Sequence, residues 1–205
     1  MSETIPFPDR KYNVILCDPP WSYSDSMTSG KRGAKYKYNL MSDREIAELP
    51  VSEIAADDCM LFLWTTFPRI FAAESIINAW SFQYKTLGFN WVKTNKVQTR
   101  KLFLGCGSYT RSNSEVCLLA TKGKPKRVSA SVRSTIISPV REHSRKPDVI
   151  RDRIVELCGD VPRIELFARE NSLGENILGW DTWGKEAPEV SEAFLAKEVA
   201  KEETI

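Results

Sequence analysis

The sequence predicts an α/β domain in which a buried sheet carries helices on both faces. Three observations carry that prediction. Short apolar runs of strand length recur along the chain, segments with helical spacing fall between them, and prolines or glycines stand at the junctions.

Asn13-Val14-Ile15-Leu16-Cys17 is nearly continuously apolar and is closed by Asp18-Pro19-Pro20, which reads as a strand buried on both faces and stopped by proline. Ser42-Asp43-Arg44-Glu45 has capping-box form ahead of Ile46, Ala47 and Leu49, so a helix should begin there and stop near Pro50. Met60 to Thr66 reads as a second buried strand. Pro68 suits the first turn of a helix carrying Phe71, Ala72, Ile76, Ile77 and Trp80. Phe89 to Lys93 and Glu115 to Ala120 are the next strands, separated by an irregular segment with Gly105, Gly107 and Ser108 that reads as a functional loop. Pro147 opens a helix with Ile150, Ile154, Leu157 and Cys158, and Gly159 supplies its cap. Arg163 to Ala168 follows as a strand, and Ile177 to Trp180 is a weaker one.

The composition excludes several chemistries. The chain has 205 residues, 42% of them hydrophobic, enough for one domain with a full core. A single histidine, His143, rules out a multi-histidine metal site, and no metal is expected. The five cysteines are widely spaced with no Cys-x-x-Cys pair, and Cys17, Cys59, Cys117 and Cys158 read as small buried hydrophobes in a reducing compartment. The amino terminus lacks the pattern of a secretion signal, and the longest apolar run is too short to cross a bilayer, so a cytoplasmic protein without a membrane partner is expected. Residues 1–184 should form one domain. The tail, 185–205, has six acidic and three basic residues and reads as a solvated tail or a terminal helix, leaving a basic body.

Asp18-Pro19-Pro20-Trp21, at the carboxyl end of the first strand, is the most informative stretch. A stiff turn leaving a strand would explain the prolines alone. The full tetrapeptide also suits a particular task. The exocyclic amine of adenine is a poor nucleophile because its lone pair is delocalised into the ring. Hydrogen bonds from that amine to the Asp18 carboxylate and the Pro19 carbonyl would localise the pair, the prolines would fix both acceptors without a competing N–H, and Trp21 offers a face for the base. Such an amine can attack a methyl group on a sulfonium with no metal and no covalent intermediate, and the proton can leave through Asp18.

On these residues the chain resembles the MT-A70 family of S-adenosylmethionine-dependent adenine N6 methyltransferases. The resemblance spans roughly Tyr12 to Gly184. Beyond the tetrapeptide it rests on Tyr38-Asn39-Leu40-Met41-Ser42, Glu115-Val116-Cys117-Leu118 with Lys122-Gly123, Ser144-Arg145-Lys146-Pro147-Asp148, Ile164-Glu165-Leu166-Phe167-Ala168-Arg169, and Gly179-Trp180. It implies a Rossmann-like class I methyltransferase sheet in permuted order, with the catalytic motif Asp18, Pro19, Pro20 and Trp21 ahead of the cofactor-binding strand.

It also implies that Asp18, Lys146, Glu165 and Arg169 contact S-adenosylmethionine, with Asn171, Ser172 and Asp181 as further cofactor candidates. A local argument supports Lys146, because a cation at a helix start faces the positive end of the dipole and calls for an anion; a lysine reaching into water is the alternative. Asp181 could accept from two ribose hydroxyls at a strand end, or cap a local turn.

Lys35, Tyr36, Lys37 and Tyr38 interleave cations with aromatics as a substrate loop would, together with Trp21 and Arg111. Lys122, Lys124, Lys126, Arg127 and Arg133 form a second basic cluster, either solvated or in contact with nucleic acid. The expected partner is nucleic acid, DNA ahead of RNA, with sequence choice shared with a second copy or an accessory subunit. A noncatalytic nucleic-acid-binding subunit and a methyltransferase for a free nucleotide or protein amide are the competing readings.

Overall fold

The computed structural model describes residues 5–22, 40–107, 109–141, 145–168 and 179–184. In chain order, β1 (Tyr12–Cys17) leads to two short helices, α1 (Asp43–Ala47) and α2 (Val51–Ile54), and then to β2 (Ala55–Thr65). Helix α3 (Ile70–Ala79) precedes β3 (Gln83–Thr94), β4 (Ser114–Lys122) and β5 (Thr135–Pro139). The described chain ends with α4 (Val149–Cys158), β6 (Arg163–Leu166) and β7 (Asp181–Trp183).

The strands form one sheet in the order β5-β3-β4-β2-β1-β6-β7. β1 is parallel to β2 and β6, β6 to β7, and β3 to β5, while β4 alone runs antiparallel to its neighbours β2 and β3. Alternate residues of the central strands serve opposite faces. Ile15, Cys17, Leu61 and Leu63 pack with Ile46, Val51, Ala73, Ile76 and Ile77 from α1, α2 and α3. Val14, Leu16, Phe62 and Trp64 pack with Ile150, Ile154 and Cys158 from α4. Helices on both faces explain why β1 reads as an uninterrupted apolar run. The arrangement is the expected Rossmann-like sheet, and the permutation is visible in β1 lying beside β6.

Local chemistry sets most boundaries. Ser42 Oγ accepts from the Glu45 N–H at 3.2 Å while Glu45 accepts from the Ser42 N–H at 2.7 Å, completing the capping box of α1. Pro68 falls in a 3-10 turn, Phe67–Arg69, so α3 starts later than its sequence pattern suggests. The strand predicted to reach Ala168 stops at Leu166, because Phe167 takes a φ of 60° and turns the chain out of the sheet. Helix α2 and strand β5 escape the sequence reading. β5 is an edge strand whose Ile137 is exposed, so it lacks an apolar run. Cys17, Cys59, Cys117 and Cys158 are buried as expected and Cys106 is exposed; burial pushes the Cys59 and Cys158 thiols up to about 12.

The chain leaves β1 toward β2 and leaves β6 toward β7. Their carboxyl ends therefore border the crevice where an open α/β sheet binds its ligands.

Candidate active site

Asp18 follows the last residue of β1 at this crevice, and the turn after it is tied down by its own backbone. The Trp21 N–H donates to the Pro19 carbonyl at 2.8 Å, the Met41 N–H donates to the Pro20 carbonyl at 2.9 Å, and the Ser22 N–H donates to the Met41 carbonyl at 3.2 Å. Pro19 thus accepts one hydrogen bond within the turn, and its carbonyl has a second lone pair.

Trp21 is 5% exposed. Its indole N–H donates to the Trp64 carbonyl at 3.1 Å, and the Arg69 guanidinium lies 5.6 Å from its ring centroid. Arg69 in turn pairs with Asp43 at the start of α1. In this conformation Trp21 bolts the turn to the end of β2 rather than presenting an open face to a base.

Four charged side chains then run across the sheet. Lys146 Nζ lies 2.6 Å from Asp18 Oδ2 and 3.2 Å from Glu115 Oε2, and Lys93 pairs with the other oxygen of Glu115. The strand alternation that places Leu16, Cys117 and Trp91 on the α4 face puts Asp18, Glu115 and Lys93 on that same face. Lys146 stands 5.5 Å from the Trp64 ring centroid and Lys93 4.9 Å from that of Trp91. Burial alone would lower the Lys146 ammonium and raise the Glu115 carboxyl. The opposite charges outweigh it, so Lys146 titrates above and Glu115 below the ordinary range.

Lys146 reaches this place because the loop before α4 is pinned. Asp148 accepts from Arg141 at 2.6 Å, from Arg145 at 3.2 Å and from Arg151 at 3.5 Å, and Arg141 also donates to the Lys146 carbonyl at 3.0 Å. Lys146 does not face a helix dipole as its sequence position suggests. α4 begins at Val149, beyond the lysine, and the anions facing the ammonium are protein carboxylates.

Glu165 on β6 is buried, with Arg151 Nε and a terminal guanidinium nitrogen each 2.7 Å from its Oε2. Burial raises its carboxyl and Arg151 partly offsets the rise. The carboxylate expected to contact the cofactor is thus engaged by Arg151 from the first turn of α4, which also reaches Asp148.

Asp181 is displaced further from expectation. It opens β7 rather than closing a strand, pairs in register with Ile164, and accepts from Tyr12 at 2.7 Å and Arg10 at 3.1 Å. It therefore lies toward the amino edge of the sheet, away from the crevice. Of the second basic cluster, Lys122 ends β4, the reversed strand, and Lys124, Lys126 and Arg127 follow it, so these also lie at the amino edge.

Arg111 is exposed on the segment joining β3 to β4. Lys35, Tyr36, Lys37, Tyr38, His143, Arg169, Asn171, Ser172 and the tail 185–205 lie outside the described residues. Sequence reasoning missed Lys93, Arg69, Arg141 and Arg151. The usable signal was an isolated carboxylate, Glu115, opening an apolar strand, which demands a buried cation.

The family model described as MT-A70 matches residues 12–186. The chain is 34% identical over 208 residues to a protein named type II methyltransferase M.MunI from Mycoplasma sp, covering 92% of this chain and 84% of that protein. It is 29% identical over 177 residues to a putative N(6)-adenosine-methyltransferase MT-A70-like protein of Medicago truncatula, covering 86% of this chain and 26% of that protein. It is 28% identical over 197 residues to the N(6)-adenine-specific methyltransferase METTL4 of Homo sapiens, covering 86% of this chain and 38% of that protein. No helix among the described residues is long and apolar enough to cross a membrane.

Proposed function

The chain belongs to the MT-A70 family, whose methyltransferases depend on S-adenosylmethionine, and from that premise we propose that it methylates the exocyclic N6 amine of adenine in DNA. The observation that carries this reading is the Asp18–Lys146 pair, 2.6 Å apart beside the crevice between β1 and β6. The preference for DNA rests on the relative named a type II methyltransferase, which matches across most of both chains, whereas the relative named for adenosine matches over a quarter of its length. RNA is the second reading, favoured by that relative's name.

S-adenosylmethionine supplies an electrophilic methyl group on a sulfonium. Its amino-acid end is a zwitterion, and the paired charges of Lys146 and Asp18 fit one: the ammonium side chain toward the carboxylate, the carboxylate side chain toward the amine. Arg169, Asn171 and Ser172 are proposed to complete the cofactor site, and Lys35, Tyr36, Lys37 and Tyr38 to close over the base. Asp18 Oδ and the Pro19 carbonyl accept the two hydrogens of the adenine amine, drawing its nitrogen toward a tetrahedral geometry. Asp18 then takes the proton released after methyl transfer. Trp21 holds the turn so that the two acceptors keep their spacing. Residues 1–184 form this transferase unit, in the cytoplasm, with sequence choice completed by a second copy or an accessory subunit.

The test is transfer of labelled methyl to matched single- and double-stranded DNA and RNA, followed by digestion to nucleosides. N6-methyladenine in DNA, lost in Asp18→Ala while the protein stays folded, is expected. Label confined to a non-nucleic-acid substrate would overturn the reading, and absence of S-adenosylmethionine binding by calorimetry would point to a noncatalytic subunit.

A further inference from the structure

Charge along the chain is unevenly placed. Between Glu74 and Glu115 there are six cations, Lys85, Lys93, Lys96, Arg100, Lys101 and Arg111, and no carboxylate side chain. Glu115, which ends this stretch, is neutralised inside the protein by Lys93 and Lys146. The ribbon that joins β3 to β4 therefore carries uncompensated positive charge, and Lys96, Arg100, Lys101 and Arg111 are all exposed on it.

The ribbon has a defined shape. The Lys93 N–H donates to the Asn113 carbonyl at 2.8 Å, the Phe103 N–H donates to the Lys93 carbonyl at 2.9 Å, and Thr94 bridges Leu102. Asn95 Oδ1 closes the first bend by accepting from the Val97 and Gln98 amides at 3.0 and 3.2 Å. Farther out the two arms touch. A Cβ on Gly105 would lie 1.8 Å from the Ser112 carbonyl oxygen, and one on Gly107 would lie 2.0 Å from that of Thr110, so neither position admits a side chain without the arms parting.

At its base the ribbon springs from Lys93 and Glu115, the two residues joined through Lys146 to Asp18. At its outer end Leu104 is 75% exposed and Tyr109 fully exposed. Exposed cations beside an aromatic and an aliphatic side chain match a polymer that offers phosphates and base faces together. The amino-edge cations Lys124, Lys126 and Arg127 lack this connection, lying beyond Lys122 at the far end of β4, itself about 24 Å from Glu115 at the rise of an extended strand.

We propose that the β3–β4 ribbon, through Arg100, Lys101, Arg111, Leu104 and Tyr109, is the surface that docks the DNA strand carrying the target base, and that the amino-edge cluster is not. The inference rests on the transferase reading for the identity of the polymer.

It is tested with the full chain by fluorescence anisotropy on a labelled 20-nucleotide DNA, single-stranded and duplex, over a range of salt. Two triple variants are compared: R100S/K101S/R111S on the ribbon and K124S/K126S/R127S at the amino edge. The ribbon variant is expected to bind at least about tenfold more weakly and to lower the salt slope by about 2 to 3, one lost counterion contact per cation. The amino-edge variant is expected to bind as the parent does. S-adenosylmethionine calorimetry on both serves as the check of folding. Equal binding by the ribbon variant and the parent overturns the proposal, as does an equal loss in the two variants. A ribbon variant that changes only the dimer population in sedimentation velocity, with DNA binding intact, overturns it in favour of a contact between copies. If the parent binds DNA through the ribbon yet methylates no adenine, the docking surface stands and the transferase reading falls.

Discussion

Lys146 Nζ lies 2.6 Å from Asp18 Oδ2 although 128 positions separate the two residues in the chain. The contact exists because Asp18 leaves the central strand β1 and Lys146 precedes the helix that covers that strand's face. Glu115, arriving from the reversed strand β4, shares the same ammonium. A cation this deeply placed between two carboxylates is a hinge for the site's electrostatics.

Replacing Glu115 with glutamine should remove acid sensitivity. The Glu115 carboxyl titrates below its ordinary value of 4.5, so its contribution to stability is present above that value and is lost as pH falls through the lower, folded-state one. Urea unfolding between pH 5 and pH 3 should show a steeper decline for the parent than for Glu115→Gln. Parallel declines would mean that the pair with Lys146 adds nothing to stability.

Arg151→Met should cost about 3 to 5 kcal/mol at neutral pH, because it strands the buried Glu165 carboxylate without its partner. The Glu165 carboxyl is already raised by burial. Loss of the cation raises it further, so protonation should return part of the lost stability as pH falls toward that value. Denaturation midpoints at pH 7 and pH 5 read the difference. A deficit independent of pH would place the damage in packing.

Trp21→Phe keeps a ring in the core but leaves the buried Trp64 carbonyl without its 3.1 Å donor. A loss of about 1 to 3 kcal/mol is expected, with kcat falling more than the dissociation constant of S-adenosylmethionine changes. If activity survives unaltered, the tryptophan does not set the geometry of the Asp18 turn.

Asp181→Asn should weaken the contacts to Tyr12 and Arg10 by no more than about 1 kcal/mol and leave cofactor affinity unchanged. Calorimetry decides this. A tenfold loss of S-adenosylmethionine affinity would restore the ribose role suggested by the sequence.

The fold was legible where one residue type dominates the local outcome. Proline after Cys17, the Ser42–Glu45 box, and the spacing of Ile150, Ile154 and Cys158 each predict an element that forms. β5 was hidden because an edge strand need bury only part of its length. Asp18 and Lys146 were legible from motif and resemblance, but their mutual contact was not, since it depends on sheet order. Trp21 and Glu165 show the complementary difficulty. Residue type announces what a side chain can do, whereas neighbours such as Arg69 and Arg151, distant in sequence, decide what it touches. The place of Asp181 was hidden by a strand boundary: β7 starts at this residue, which puts the carboxylate at the opposite end of its strand from the one its sequence context suggests.

The pairing of β1 with β6 has a consequence for the newly made polypeptide. β1 is synthesised first and finds β2 within a few dozen residues, yet Val14 must wait for Arg163 before its other edge is covered. Until then an apolar strand at the centre of the future sheet presents unpaired amides, the condition under which nascent chains associate with one another. The permutation that sets Asp18 early in the chain therefore makes this protein dependent on late closure. Stalled or truncated products lacking β6 should be captured by chaperones or aggregate, while the same residues are harmless once the sheet is complete.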